Sequence, residues 1–140
     1  MYKALGDEGL AARVDHNVGL IVYMATKINS LVDERGGPRF LTVAGPTFAN
    51  LCFYSVPPSL ALAPGTTLGD LNDAQLAALA SVAPVVKNRM QRGGRGLVGF
   101  QPVRGYVNCW RMVAAGAKEH FDEAGVDTLL ADMVRFSADL

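Results

Sequence analysis

Residues 96–114, GLVGFQPVRGYVNCWRMVA, decide the fold because they have the pattern of two short strands joined by a tight link. Apolar, aromatic and β-branched residues dominate 96–103 and 106–114, and such residues favour extended backbone. The two residues left between them, Arg104 and Gly105, make a connection of the length found in β-hairpins. The stretch therefore predicts an antiparallel pair of strands.

A second pair of strands is predicted earlier in the chain. Residues 40–43 favour a strand, residues 44–47 (AGPT) predict a turn, and residues 50–56 (NLCFYSV) predict the partner strand. Pro57 and Pro58 then end this strand, because proline has no N–H to donate to a sheet.

A long helix is predicted before the strands, over residues 5–34. Its apolar positions form one stripe at helical spacing: Leu10, Val14, Ile21, Ala25, Ile28 and Val32. Asn17 is the exception, since it interrupts this stripe with an amide. Residues 35–38 (RGGP) are predicted to end the helix, because glycine suits a C-cap and proline cannot continue it.

Two further helices follow the same logic. Asn72 is a predicted N-cap, and Gln75 three residues later completes a capping box. Pro84 is expected to bend this helix, and the last helix is predicted to begin near Asp122. The order is helix, two strands, helix, two strands, helix. This order predicts an α+β domain in which helices cover one face of a small antiparallel sheet.

Composition excludes several classes of function. The chain has 140 residues, of which half are hydrophobic and 19% are charged, so a folded domain is expected. Its 13 basic and 13 acidic residues balance, which argues against nucleic-acid or acidic-membrane partners. The apolar run at 18–25 is too short to span a bilayer, and residues 1–10 lack the apolar core of a signal peptide. Cys52 and Cys109 belong to no CxxC pair and are predicted to be buried free thiols.

The usual catalytic and metal-binding patterns do not occur in the sequence. His16 and His120 have no second ligand at a metal-site spacing, so no metal site is predicted. Residues 92–96 (RGGRG) are better interpreted as a helix end than as a phosphate loop. A Schiff-base lysine needs a desolvated setting, and all four lysines lie in polar or helix-surface contexts: Lys3, Lys27, Lys87 and Lys118. No catalytic or cofactor-binding residue is predicted in this segment.

Arg111 remains as the candidate site residue. It is a permanent cation inside a strand that is otherwise suited to a core, and two interpretations are open. It can be an exposed strand arginine, or it can bind a carboxylate with two parallel hydrogen bonds. Trp110 and Met112 are predicted to point to the opposite face and to anchor the strand.

Several segments occur in the order seen in one family. These are NLCFYSVPPSL (50–60), SVAPVVKNRM (81–90), LVGFQP (97–102), NCWRMV (108–113) and DTLLADMVRFSADL (127–140). Together they resemble the C-terminal part of the pyridoxal-phosphate-dependent group II decarboxylases, in the branch of glutamate and cysteine-sulfinate decarboxylases. The opening YKALG (2–6) is similar to that family's entry into the helix linking its two domains.

The resemblance implies a fold, a reaction and a role for Arg111. Residues 1–35 would be the linker helix from a large domain, and 36–140 a small C-terminal domain of the aspartate-aminotransferase type. The resemblance also implies a cytoplasmic, homodimeric enzyme that decarboxylates an acidic amino acid with pyridoxal 5'-phosphate as cofactor. Arg111 matches the arginine that binds a substrate carboxylate in that family.

Some residues depart from the family pattern. Cys109 and Trp110 replace two aromatic residues, Tyr2 stands where tryptophan is usual, and residues 114–120 (AAGAKEH) replace a polar run. The family's His-Lys dipeptide, which supplies the cofactor lysine, is absent. The 140 residues are therefore expected to be inactive alone, as a fragment of a decarboxylase. The alternative is a non-catalytic module that pairs with a full-length subunit.

Overall fold

The computed structural model describes residues 2–96 and 98–140, with side chains from residue 4 onwards. Met1 of the predicted helical region, Leu97 of the predicted strand 96–103 and the side chain of Lys3 lie outside the described residues. The elements follow one another as α1 (Tyr2–Ser30), β1 (Phe40–Thr47), β2 (Asn50–Ser55), α2 (Asp73–Arg92), β3 (Gly99–Val103), β4 (Tyr106–Val113) and α3 (Glu123–Phe136).

The four strands form one antiparallel sheet in the order β1-β2-β4-β3. Each predicted hairpin is present, and β2 and β4 lie side by side at the centre. The predicted α+β class, with a small antiparallel sheet and three helices, is therefore confirmed.

The helices cover one face of the sheet and enclose the larger part of the core. Phe53 and Trp110 point from the sheet into this layer, where Ile21, Val86 and Met133 meet them from the three helices. The N-cap predicted at Asn72 is confirmed, since its side chain accepts a hydrogen bond from the N–H of Gln75 at 2.9 Å. Local capping chemistry thus sets the start of α2.

The opposite face is partly covered by the connection between β2 and α2. Leu62 and Leu68 from this connection pack with Tyr54, Cys52 and Cys109 of the central strands in a second, smaller cluster. Residues 61–70 contain no strand and only a short 3-10 turn at Leu68–Asp70. Their leucines add an apolar cover that leaves the end of the sheet around Arg111 open.

The predicted end of the first helix at residues 35–38 is wrong, because α1 ends at Ser30. The Asp33 carboxylate accepts hydrogen bonds from the backbone N–H groups of Arg35 and Gly37, at 2.8 and 2.9 Å. Such side-chain acceptors offer the backbone an alternative to helix. At Gly37 an added Cβ would stand 2.2 Å from the Leu62 carbonyl oxygen, so only glycine fits this loop.

The predicted turn at residues 44–47 is also wrong. These residues continue β1, with two irregularities in the pairing to β2, and the turn falls at residues 48–49. Pro46 is tolerated because β1 is an edge strand, where one side of the backbone needs no hydrogen-bond partner. Phe48 carries the turn with a φ of 54° and an exposed ring.

Candidate functional site

Arg111 lies on the central strand β4 and projects from the sheet face opposite the helices. Its two neighbours in sequence, Trp110 and Met112, point to the opposite face of the sheet. Trp110 is fully buried on the helix side, where its indole N–H donates to the Ser55 hydroxyl oxygen at 2.9 Å, and Met112 packs against the same layer. The prediction that these two residues anchor the strand from behind is confirmed, and Arg111 itself is exposed.

The sheet row that contains Arg111 is otherwise built of small residues. In register, Ala44, Cys52, Arg111 and Gly99 lie side by side across the four strands. A Cβ added at Gly99 would meet no atom within 4 Å. The residues beside Arg111 in this row are therefore too small to fill the space next to the guanidinium.

One neutral side chain accepts a hydrogen bond from the guanidinium. Its Nη1–H donates to Oε1 of Gln101 at 3.2 Å, from the neighbouring strand β3. Within residues 2–96 and 98–140, no carboxylate lies within ion-pair distance of Arg111, whereas Arg89, Arg95 and Arg135 each pair with an aspartate. Arg111 thus keeps donors and a positive charge that no described carboxylate compensates.

The two cysteines lie close to Arg111, since Cys52 is its partner in the register and Cys109 lies two residues before it on β4. Both are buried and free, as predicted. Burial raises the pKa of the Cys52 thiol, and the positive charges of Arg111 and Arg104 oppose that rise. Burial likewise raises the pKa of Cys109, whose thiol lies 3.1 Å from the Gln101 carbonyl oxygen. Because both pKa values lie above the ordinary range, the thiols are neutral at physiological pH and are poor nucleophiles.

The histidines lie away from Arg111. His16 Nε2 is 3.0 Å from the carbonyl oxygen of Phe121, which ties α1 to the segment before α3. His120 is exposed. Among the described residues, no group of three or more histidine, cysteine, aspartate or glutamate side chains could hold a metal ion.

The described lysines do not form a Schiff-base site. Lys27 lies 3.6 Å from Asp127, and the ammonium of Lys87 lies 5.3 Å from the centre of the Phe100 ring. Lys118 is exposed. A lysine that forms a Schiff base with a carbonyl cofactor has to be desolvated and deprotonated. These residues do not fit the covalent attachment of such a cofactor.

The residues that surround Arg111 could not be predicted from the sequence. Ala44 lies on β1, whereas Gln101 and Gly99 lie on β3, so only the register brings them beside Arg111. Asn50 was also missed, and its buried Oδ1 has no hydrogen-bond partner in the described part of the chain. No local sequence signal marks any of these four residues.

No helix in the described part of the chain is both long and apolar enough to cross a membrane.

Comparison with known proteins gives a consistent set of relatives, although no family model matches the chain. Rat cysteine sulfinic acid decarboxylase is 36% identical over 141 residues, which cover all of this chain and 26% of the relative. The human acidic amino acid decarboxylase GADL1 is 37% identical over 113 residues, covering 80% of this chain and 19% of the relative. The chain spans about a quarter or less of the length of these curated relatives.

Solved structures agree with the sequence relatives. The crystal structure of mouse CSAD in apo form matches all of this chain and 27% of its own, with a TM-score of 0.81 and 34% identity. Catharanthus roseus tryptophan decarboxylase matches with a TM-score of 0.65 at 16% identity, which shows a shared fold alone.

Proposed function

Because this chain is homologous to cysteine sulfinic acid decarboxylase and to acidic amino acid decarboxylase GADL1, two group II pyridoxal-phosphate-dependent decarboxylases, we propose that it is a C-terminal segment of such an enzyme. The complete enzyme would be a lyase that removes carbon dioxide from glutamate, aspartate or cysteine sulfinate. Residues 1–35 would link this segment to a large domain, and residues 36–140 would form the small domain.

Within this enzyme, Arg111 binds a carboxylate of the substrate. The observation that carries this proposal is a guanidinium that has no described carboxylate partner and lies beside small residues. One of its N–H groups donates to Gln101. Guanidinium matches carboxylate with two parallel hydrogen bonds and stays charged when a substrate excludes water. The contribution is to bind and orient the substrate, which lowers the entropic cost of reaction.

Pyridoxal 5'-phosphate supplies the electron sink for decarboxylation when it is bound in the complete enzyme. The described residues offer no lysine for it, so we assign its attachment to residues outside this segment. We therefore expect the 140-residue chain to be inactive alone. A cytoplasmic homodimer is the assembly that we propose for the complete enzyme.

Two variants of Arg111 test this assignment in the complete enzyme. Arg111→Ala removes the cation. Arg111→Lys keeps the charge but loses the planar pair of N–H donors that forms two parallel hydrogen bonds. Charge-assisted hydrogen bonds contribute about 1.5–3 kcal/mol each, so losing both bonds in Arg111→Ala should lower kcat/KM roughly 10²- to 10⁴-fold, chiefly through KM. Arg111→Lys should also be impaired.

Arg92→Ala is the matched control, since Arg92 is an exposed arginine at the end of α2. Steady-state kinetics on glutamate, aspartate and cysteine sulfinate give the readout. Unchanged kinetics of Arg111→Ala on all three substrates would show that Arg111 is not a substrate ligand.

A second candidate is a non-catalytic module that pairs with a full-length decarboxylase subunit. The first half of α1 supports it, because Leu10, Val14 and Val18 remain only half-buried. Co-expression with a full-length relative followed by size-exclusion chromatography tests this. A shared peak supports the module, and two separate peaks at micromolar concentration count against it.

A further inference from the structure

Asn17 is a polar residue in an otherwise apolar layer. The residue is only 7% exposed, within the half of α1 that joins the core. Its amide makes no hydrogen bond to any residue that the structure describes. The amide is not fully enclosed, because the buried side-chain atom that lacks a partner in the described residues is Oδ1 of Asn50. The Asn17 amide, which interrupts the apolar stripe in the sequence, is therefore free to form hydrogen bonds with a molecule from outside the chain.

A pocket of about 280 Å³ lies beside this amide. It is formed where α1, the end of β4, the start of α3 and the segment after β4 meet. Its largest apolar lining residues are Met112, Phe121 and Leu129, and Asn17 lines it with them. None of its described lining residues is charged. The volume lies just below the range of pockets for drug-sized molecules, so the matching ligand is smaller.

We propose that this pocket binds a small uncharged molecule with an apolar body and a single amide or hydroxyl group. The amide of Asn17 both donates and accepts hydrogen bonds, so it satisfies a polar group that does the same. An ionised ligand is disfavoured, because no side chain of opposite charge lines the pocket. The apolar body is held by the surface that Met112, Phe121 and Leu129 provide.

The pocket and Arg111 can be perturbed independently. Met112 faces the helix layer, whereas Arg111 projects from the other face of the same strand. Substitutions at Asn17 therefore leave the row of Arg111 in place, and no readout of the pocket depends on decarboxylase activity.

Binding of benzamide to the folded 140-residue chain tests the proposal, with toluene as the probe that lacks the amide. Both are titrated by nuclear magnetic resonance, following the side-chain amide of Asn17 and the methyl groups of Met112 and Leu129. We expect saturable shifts of these signals with benzamide. In Asn17→Leu, benzamide binding should weaken about fivefold or more, as expected for one lost hydrogen bond, while toluene binding is retained.

Asn88→Leu is the matched control, because Asn88 is an exposed asparagine on α2 that lines none of the described pockets. It should bind both probes like the parent chain. Ala115→Trp places a large ring at the exposed rim of the pocket and should block both probes without disturbing the core.

Three results would overturn the proposal. The first is the absence of saturable shifts with benzamide. The second is equal benzamide affinity in Asn17→Leu and the parent chain. The third is unchanged binding in Ala115→Trp when its thermal unfolding matches that of the parent.

Discussion

Gly99 offers a way to close the space beside Arg111 without touching the arginine. Gly99 lies opposite Arg111 in the β3–β4 pair, is exposed, and would accept a Cβ with no atom within 4 Å. Its φ is outside the left-handed region, so a branched side chain fits the backbone. Gly99→Val should therefore fold normally and place two methyl groups against the guanidinium.

The effects on stability and on function should have opposite signs. Glycine within a strand costs roughly 0.5–1 kcal/mol, and valine favours extended backbone, so the variant should gain about 1 kcal/mol. For a domain of this size the gain corresponds to a rise in melting temperature of about 3 °C. If the new side chain displaces one charge-assisted hydrogen bond to the substrate, worth about 1.5 kcal/mol, KM should rise about tenfold.

Thermal unfolding of the 140-residue chain gives the first quantity, and kinetics of the complete enzyme give the second. Gly45→Val is the matched control, since Gly45 is an exposed strand glycine on β1, where an added Cβ makes only an ordinary contact at 3.8 Å to Thr42. It should keep the parental KM. A lower melting temperature in Gly99→Val would refute the packing argument. An unchanged KM would refute the claim that the open side of Arg111 receives the substrate.

Three further perturbations test the core. Trp110→Phe leaves the buried Ser55 hydroxyl without its donor and opens a small cavity, so urea unfolding should show a loss of about 2 kcal/mol. The side chain of Asp132 is 10% exposed and pairs with two arginines, so Asp132→Asn should lower the free energy of unfolding by about 2 kcal/mol. The side chain of Asp139 is 71% exposed, so Asp139→Asn should lower it by less than about 1 kcal/mol in the same assay. Burial raises the pKa of Tyr54 from 10.0 to about 12. Because the unfolded phenol ionises first, the contribution of Tyr54 to stability should be constant below pH 10 and fall as pH rises from 10 to 12, and Tyr54→Phe should remove that part of the fall in urea unfolding measured against pH.

The hairpins and helix starts could be predicted because their causes are local. The apolar runs around Arg104 and Gly105 determine a hairpin by themselves, and the capping box at Asn72 needs only its own turn. The errors have causes outside the segment. Residues 44–47 stay in β1 because β2 pairs with them despite Pro46, and α1 ends early because Asp33 captures two backbone N–H groups.

The site could be predicted only in part, for a related reason. A cation between Trp110 and Met112 is visible in the sequence as an anomaly, and so is the amide of Asn17 in an apolar stripe. The surroundings of Arg111 depend on register, because a shift of one residue would move every neighbour to the other face. A single strand does not contain that information, and the pocket at Asn17 likewise depends on how three separate segments pack.

The strand order has a consequence for how the proposed anion site at Arg111 forms during folding. Both hairpins can close over short loops, but β2 and β4 are separated by α2 and β3, so their pairing closes a long loop and carries the larger entropic cost. The contact between Cys52 and Arg111 belongs to that pairing. A folding intermediate with two separate hairpins would have most of its secondary structure, but Cys52 and Ala44 would not yet lie beside Arg111. Anion binding at Arg111 would then appear only in the kinetic phase that joins the hairpins, and its time course would report the completion of the sheet.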